Sequence, residues 1–193
     1  MLRNGKVRRG GRSGFTFIEL IVGLAIMVLI ASMVTPSLIG VLDKQRRTGA
    51  RTTFEEIAAA VDSFATDVGE YPSQLTHLTA QIGAQPDLCG SNYTVGEQGG
   101  WDGPYITRFI STGGLPVGIG RLRNQLARFP NTLNPTHMVG TVDSVVVEDA
   151  LALNQDIDND GNDANANFVR WTTLSAADGL VTLGLYLPIA DLC

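Results

Sequence analysis

"RSGFTFIELIVGLAIMVLIASMVTPSLIG", Arg12 to Gly40, decides the architecture of this 193-residue chain. From Phe15 to Leu42 the sole ionisable side chain is Glu19, and the rest is Leu, Ile, Val, Ala, Met, Phe and Gly with a few Ser and Thr. A run of that kind exceeds the roughly 20 apolar residues a helix needs to span a bilayer. The basic leader before it, residues 1–14, favours the cytoplasm and sends everything after Leu42 to the opposite side. A secretory signal has a shorter apolar core and a small-x-small exit, and the run has neither. Glu19 therefore stands out. A carboxylate at the centre of a membrane costs about 2.5–3.5 kcal/mol on insertion scales, less near an end. It needs either headgroup solvation or a positive partner.

Charge divides the chain in the same place. The formal net charge is −5, but Arg3, Lys6, Arg8, Arg9 and Arg12 all precede Gly14 with no acid among them, so the remainder carries 9 Lys/Arg (14 less 5) against 19 Asp/Glu, or −10. An acidic body repels phosphate backbones, which argues against nucleic-acid binding. The length suits one ordinary domain plus an appendage. Cys89 and Cys193 lack any metal-knuckle spacing. Outside the cytoplasm they read as one disulfide pinning the chain end, worth about 4–5 kcal/mol for a loop of roughly 100 residues, the alternative being two buried thiols.

The stretch "GFTFIEL", Gly14 to Leu20, resembles the prepilin-type processing site of type IV pilins and type II secretion pseudopilins. The resemblance implies cleavage by a prepilin peptidase after Gly14 and N-methylation of Phe15, and it matches the family's glutamate and helix proline to Glu19 and Pro36. Cleavage creates an α-ammonium at Phe15. In one helix Glu19 is its i, i+4 neighbour, whereas the resemblance implies that Glu19 neutralises the terminus of an adjacent identical subunit and sets the register of assembly. Pro36 lacks a backbone donor and should kink or loosen the helix.

After Leu42 the helix turns amphipathic. Phe54, Ile57, Val61, Phe64 and Val68 follow spacings of three and four, and Gly69 and Pro72 stop the pattern. The expected helix is about 54 residues, roughly 80 Å. Asp43, Lys44, Arg46, Arg47 and Arg51 mark its emergence from the membrane. The fold class expected is α+β, a type IV pilin-like lollipop: a long N-terminal helix packed on a C-terminal antiparallel sheet. Its parts are a cleaved cytoplasmic leader (1–14), a transmembrane and assembly helix (15–42), an amphipathic half (43–68) and an extracytoplasmic domain (69–193).

Within that domain, "DVGEYPSQLTHL" and "WDGPY" resemble segments of the major pseudopilin of type II secretion. Ser73 is expected to cap a short helix, and a strand is expected from about Tyr105. The glycines of residues 89–106 read as a surface loop, since no Gly-Lys-Ser/Thr follows. Residues 107–135 read as an irregular excursion with "RLRNQLARF" as a short helix, longer than the resemblance leads one to expect. "MVGTVDSVVVED", "FVRWTTL" and "GLVTLGLYLP" read as strands covering Phe54, Ile57, Val61 and Phe64.

"NQDIDNDGNDANANF" concentrates Asp156, Asp158, Asp160 and Asp163 around Gly161, the first half of a calcium-loop pattern. The twelfth position is Asn167 rather than a bidentate glutamate, so an EF-hand is not expected. Four carboxylates repel one another, and Ca2+ would relieve them; a solvated acidic loop is the alternative. The resemblance also implies a calcium loop before a tryptophan, which places Trp171 comparably. His77 and His137 are isolated, and no catalytic motif is visible. The reading is a structural subunit of a type II secretion pseudopilus in the bacterial inner membrane and periplasm, with identical subunits, minor pilins or pseudopilins, the peptidase and an inner-membrane assembly platform as partners. A type IV pilin of a surface fibre is the alternative, and an uncleaved anchored calcium- or ligand-binding module a third.

Overall fold

The structure is a computed structural model describing residues 14–130, 136–159, 168–175 and 179–189, without the side chains at 34–39 and 173–175. Helix α1 spans Phe17–Val68 and is 52 residues long. The chain divides into two compact units, one ending at Asp43 and one beginning at Lys44.

In the first unit every described side chain from Gly14 to Met33 is exposed, including Phe15, Phe17, Ile21, Leu24 and Leu29. Apolar residues all round a helix have no polar face to turn to water. Among the described residues, however, no helix is long and apolar enough to cross a membrane. Pro36 lies within the bounds of α1, but its side chain is outside the description, and the expected kink with it.

In the second unit α1 turns one face inward: Ala50, Phe54, Ile57, Ala60, Val61, Phe64 and Val68 are all buried. The helix ends where Gly69 adopts a φ of 86° and its N–H donates to the Ala65 carbonyl (2.9 Å), a left-handed C-terminal cap. The face packs on a five-stranded antiparallel sheet made of β1 (Leu115–Pro116), β2 (Arg121–Phe129), β3 (His137–Val146), β4 (Val169–Ser175) and β5 (Leu180–Pro188), ordered β1-β2-β3-β5-β4. Leu122, Leu126, Met138, Val142, Val181, Leu183 and Leu185 form its inner face. Each such side chain, fully buried, contributes about 1.5–3 kcal/mol. The α+β, pilin-like arrangement of an N-terminal helix followed by an antiparallel sheet is therefore present.

Several local expectations are corrected. "RLRNQLARF" is not a helix but strand β2. Leu122 and Leu126, four apart, share a face in either conformation, and pairing with β3 decides between them. A register shift between them lets Asn124 turn aside, where its Oδ1 accepts from Thr76 N (3.0 Å) and its Nδ2 donates to Gln74 Oε1 (3.0 Å). No strand starts at Tyr105; its N–H donates instead to the Leu78 carbonyl (2.8 Å). Ser73 caps nothing: Gln74 is the N-cap of the 3-10 turn Leu75–Leu78, and the Ser73 hydroxyl donates to the Pro86 carbonyl (2.6 Å).

The glycine-rich stretch also contains α2 (Val95–Gly100), started by a reciprocal Thr94–Glu97 box. A third helix, α3 (Val147–Ile157), leads into the acidic loop with Ala150, Leu153 and Asn154 buried and Glu148 and Asp149 in its first turn. Carboxylates there complement the positive end of the helix. Asp149 also joins α3 to α1 through Arg47, whose Nε donates to it at 2.6 Å.

Candidate functional site

The processing and assembly residues occupy the start of α1. Gly14 is exposed, and among the described residues beyond its chain neighbours no atom lies within 4 Å of the position a Cβ would take there. Phe15 is 89% exposed. Thr16 and Glu19 then form a reciprocal pair: Glu19 N donates to Thr16 Oγ1 (3.3 Å), while Thr16 N and Oγ1 both donate to Glu19 Oε2 (3.4 and 3.3 Å). This is a capping box, in which a hydroxyl and a carboxylate three residues apart satisfy the first free N–H groups of a helix. Glu19 thus has a local task beside the one expected of it. Sequence reasoning passed over Thr16, although T-x-x-E ahead of an apolar run is the signal for such a box.

The acidic loop is reached through α3. Asp156 is exposed in the last turn of that helix, and its carbonyl accepts from Arg51 Nη1 at 3.5 Å. Asp158 closes the loop: its Oδ1 accepts from Phe168 N (3.2 Å) and its Oδ2 from Val169 N (2.8 Å) and Asn154 Nδ2 (3.2 Å). Asp160 and Asp163 lie outside the described residues, and among those described no cluster of three or more metal-ligating side chains occurs. Asn154 is fully buried and its Oδ1 has no hydrogen-bond donor among the described residues. Its amide cannot simply be reversed, because Nδ2 faces two acceptors, Asp158 Oδ2 and the Val169 carbonyl. A buried oxygen beside a carboxylate, with no donor, is compatible with a hard cation.

Cys89 is half-buried, and its carbonyl accepts from Arg128 Nη1 at 2.9 Å. No free cysteine occurs among the described residues, which exclude Cys193. His77 is 3% exposed, with Nε2 2.8 Å from Gln85 Oε1 and Nδ1 3.2 Å from the Tyr93 hydroxyl. Burial holds its pKa below the ordinary histidine value, and burial raises that of Tyr93. Glu70 is likewise shifted upward by burial, then by the charges of Asp87 and Glu97. His77 is a packing residue here, since its ring is enclosed by Tyr93 and its carbonyl accepts from Trp101 Nε1 (2.9 Å).

A capped, exposed apolar helix behind a glycine, followed by an antiparallel sheet, is a pilin-like arrangement. Residues 9–35 match the family model described as the prokaryotic N-terminal methylation motif. The chain is similar to proteins named type II secretion system core protein G. That of Klebsiella michiganensis is 34% identical over 76 residues, covering 39% of this chain and 54% of the relative. That of Pseudomonas aeruginosa gives the same identity and coverage, and that of Xanthomonas campestris pv. campestris is 27% identical over 97 residues, 50% of this chain and 59% of the relative. The chain spans about half the length of the curated relatives it matches. No solved structure matches it.

Proposed function

We infer that this chain is a structural subunit, not an enzyme, of a type II secretion pseudopilus. In this reading a prepilin peptidase cuts after Gly14, Phe15 is methylated, and the subunit leaves the inner membrane for a filament whose globular units lie in the periplasm. Identical subunits, minor pseudopilins and an inner-membrane assembly platform are its partners. The observation that carries the reading is the exposed apolar surface of Phe15–Met33, interrupted by one carboxylate and lying inside the matched methylation motif. Such a surface in water is unfavourable and calls for lipid or copies of itself. Glu19 neutralises the cut terminus of a neighbour, and Pro36 is absorbed by surrounding helices.

Two further assignments belong to the same reading. Ca2+ is held by Asp156, Asp158, Asp160 and Asp163, supported by the donorless Asn154 Oδ1 at the base of the loop. Cys89 pairs with Cys193, supported by the absence of a free thiol at Cys89.

Mass spectrometry of the protein from peptidase-containing cells tests the reading: a methylated Phe15 terminus is expected, and a retained Met1 refutes it in favour of an anchored module. Deletion of the gene is expected to abolish secretion. Intact secretion with loss of surface fibres would assign a type IV pilin instead. Calcium titration of the full chain reads the loop, with saturating ion (100 times Kd) adding about 2.7 kcal/mol of stability.

A further inference from the structure

Helix α3 leads into the acidic loop, and two arginines of α1 hold that helix. Arg47 Nε donates to Asp149 Oδ1 at 2.6 Å, with the two side chains 30% and 20% exposed. Arg51 is shared: its Nη1 donates to the Asp156 carbonyl at 3.5 Å and its Nε to Glu55 Oε1 at 2.9 Å. Arg47 and Arg51 stand about one turn apart on α1, and Asp149 and Asp156, about two turns apart, return to one face of α3. That face is therefore fastened to α1 at its first turn by a close ion pair, partly shielded from salt, and at its last turn by a longer bond to a carbonyl. Arg47 makes the stronger of the two attachments.

The last turn of α3 carries oxygens of the candidate ion site. Asn154 is fully buried with its Oδ1 lacking a donor among the described residues, Asp156 is exposed, and Asp158 is the C-cap. Asn154 Nδ2 donates to Asp158 Oδ2 (3.2 Å) and to the Val169 carbonyl (3.3 Å), so this turn is tied to β4 as well. The helix is 11 residues long and also rests on β3 and β5. An element so short, fixed at both ends, shifts as one body, and displacing its first turn displaces Asn154, Asp156 and Asp158 together. A hard cation takes its oxygens at about 2.3–2.6 Å, so its affinity depends on where that turn is held.

We propose that Arg47 is a positioning residue for the acidic loop: through Asp149 and α3 it sets Asn154, Asp156 and Asp158 for a divalent cation, and the bound cation in return steadies α1 over residues 44–51. This coupling rests on the calcium reading above and adds a regulation to it, because an effect of one site on another is reciprocal. The sign of the effect separates a clamp from plain electrostatics. Arg47 is itself positive, so removing its charge tightens cation binding if charge is all that matters. Removing a clamp loosens it.

The test titrates calcium chloride into the detergent-solubilised full chain by calorimetry, for the parent, Arg47→Gln and Asp149→Asn, and follows amide hydrogen exchange with and without calcium. Both substitutions are expected to weaken calcium binding about five- to tenfold, and calcium is expected to slow exchange at 44–51 in the parent but not in either variant. Arg47→Lys, which keeps the charge, is expected to recover most of the affinity. Calcium binding in Arg47→Gln as tight as in the parent or tighter, Arg47→Lys as weak as Arg47→Gln, or protection in the parent that stops short of 44–51 overturns the coupling and leaves the calcium reading intact. A parent chain that binds no calcium at about 10 mM, beyond the weakest affinity of extracellular modules, ends the calcium reading and this coupling with it.

Discussion

Glu19→Gln separates the capping that the structure gives this carboxylate from the charge pairing proposed for it. In the structure Glu19 Oε2 accepts from Thr16 N and Thr16 Oγ1 at 3.4 and 3.3 Å, and these are long, exposed bonds. A capping pair of that kind is worth about 0.5–2 kcal/mol, and glutamine fills the third position of such a box as glutamate does, so the substitution leaves the start of the helix nearly as stable as before. The charge is another matter. A carboxylate 4 Å from the ammonium of a neighbouring Phe15 gains about 4 kcal/mol at an effective dielectric of 20, and an amide forfeits nearly all of it while the ammonium keeps its desolvation cost. At 1.4 kcal/mol per decade, assembly is expected to fall by two to three orders of magnitude. The assay is the yield of sheared filaments from cells overproducing parent, Glu19→Gln and Thr16→Val at matched, verified N-terminal methylation. Thr16→Val removes the hydroxyl half of the box, keeps the charge, and is expected to cost tenfold or less. Should Glu19→Gln assemble at the parental level while Thr16→Val fails, the carboxylate is a cap alone and charge pairing between subunits is refuted.

Three further outcomes test the globular unit. Because burial lowers the pKa of His77, the unfolded chain takes up its proton near pH 6.5 before the folded one does. Stability is therefore full above about pH 6.5 and declines as pH falls toward the lowered folded value, by up to about 1.4 kcal/mol per unit; His77→Gln is expected to flatten that slope in melting temperature against pH. Asp158→Ala strips Phe168 N and the buried Val169 N of their acceptor and leaves Asn154 Nδ2 only the Val169 carbonyl. A loss of about 1.5–3 kcal/mol is expected by denaturant titration, calcium-free, and an unchanged midpoint would show that these bonds contribute nothing. Gly114→Ala places a Cβ against the Leu122 carbonyl at a φ of 96°, so it is expected to cost more than about 1–2 kcal/mol. Gly113→Ala, whose nearest foreign atom is Ser111 Oγ at 3.7 Å, is expected to stay within about 0.5 kcal/mol of the parent.

What was legible in the sequence follows a physical division. The core face of α1 was readable because Phe54, Ile57, Val61, Phe64 and Val68 repeat with the helix period over several turns, and Gly69 supplies the left-handed conformation that ends it. The three later strands were readable because β-branched runs stand between turn residues. β2 was not, since two leucines four apart satisfy both periods and its remaining side chains are largely polar; the partner strand β3, brought in from further along the chain, decides it. The same asymmetry governs the sites. A motif held in consecutive residues, such as Gly14-Phe15 with Glu19, can be read directly, and even Thr16 was there to be read as a cap. Asn154, by contrast, acquires its significance from Asp158 and Val169, which the fold places against it. A local pattern thus displays the motif at the helix start in the order of the chain, whereas a contact such as that of Asn154 with Asp158 and Val169 exists only after folding has brought distant residues together.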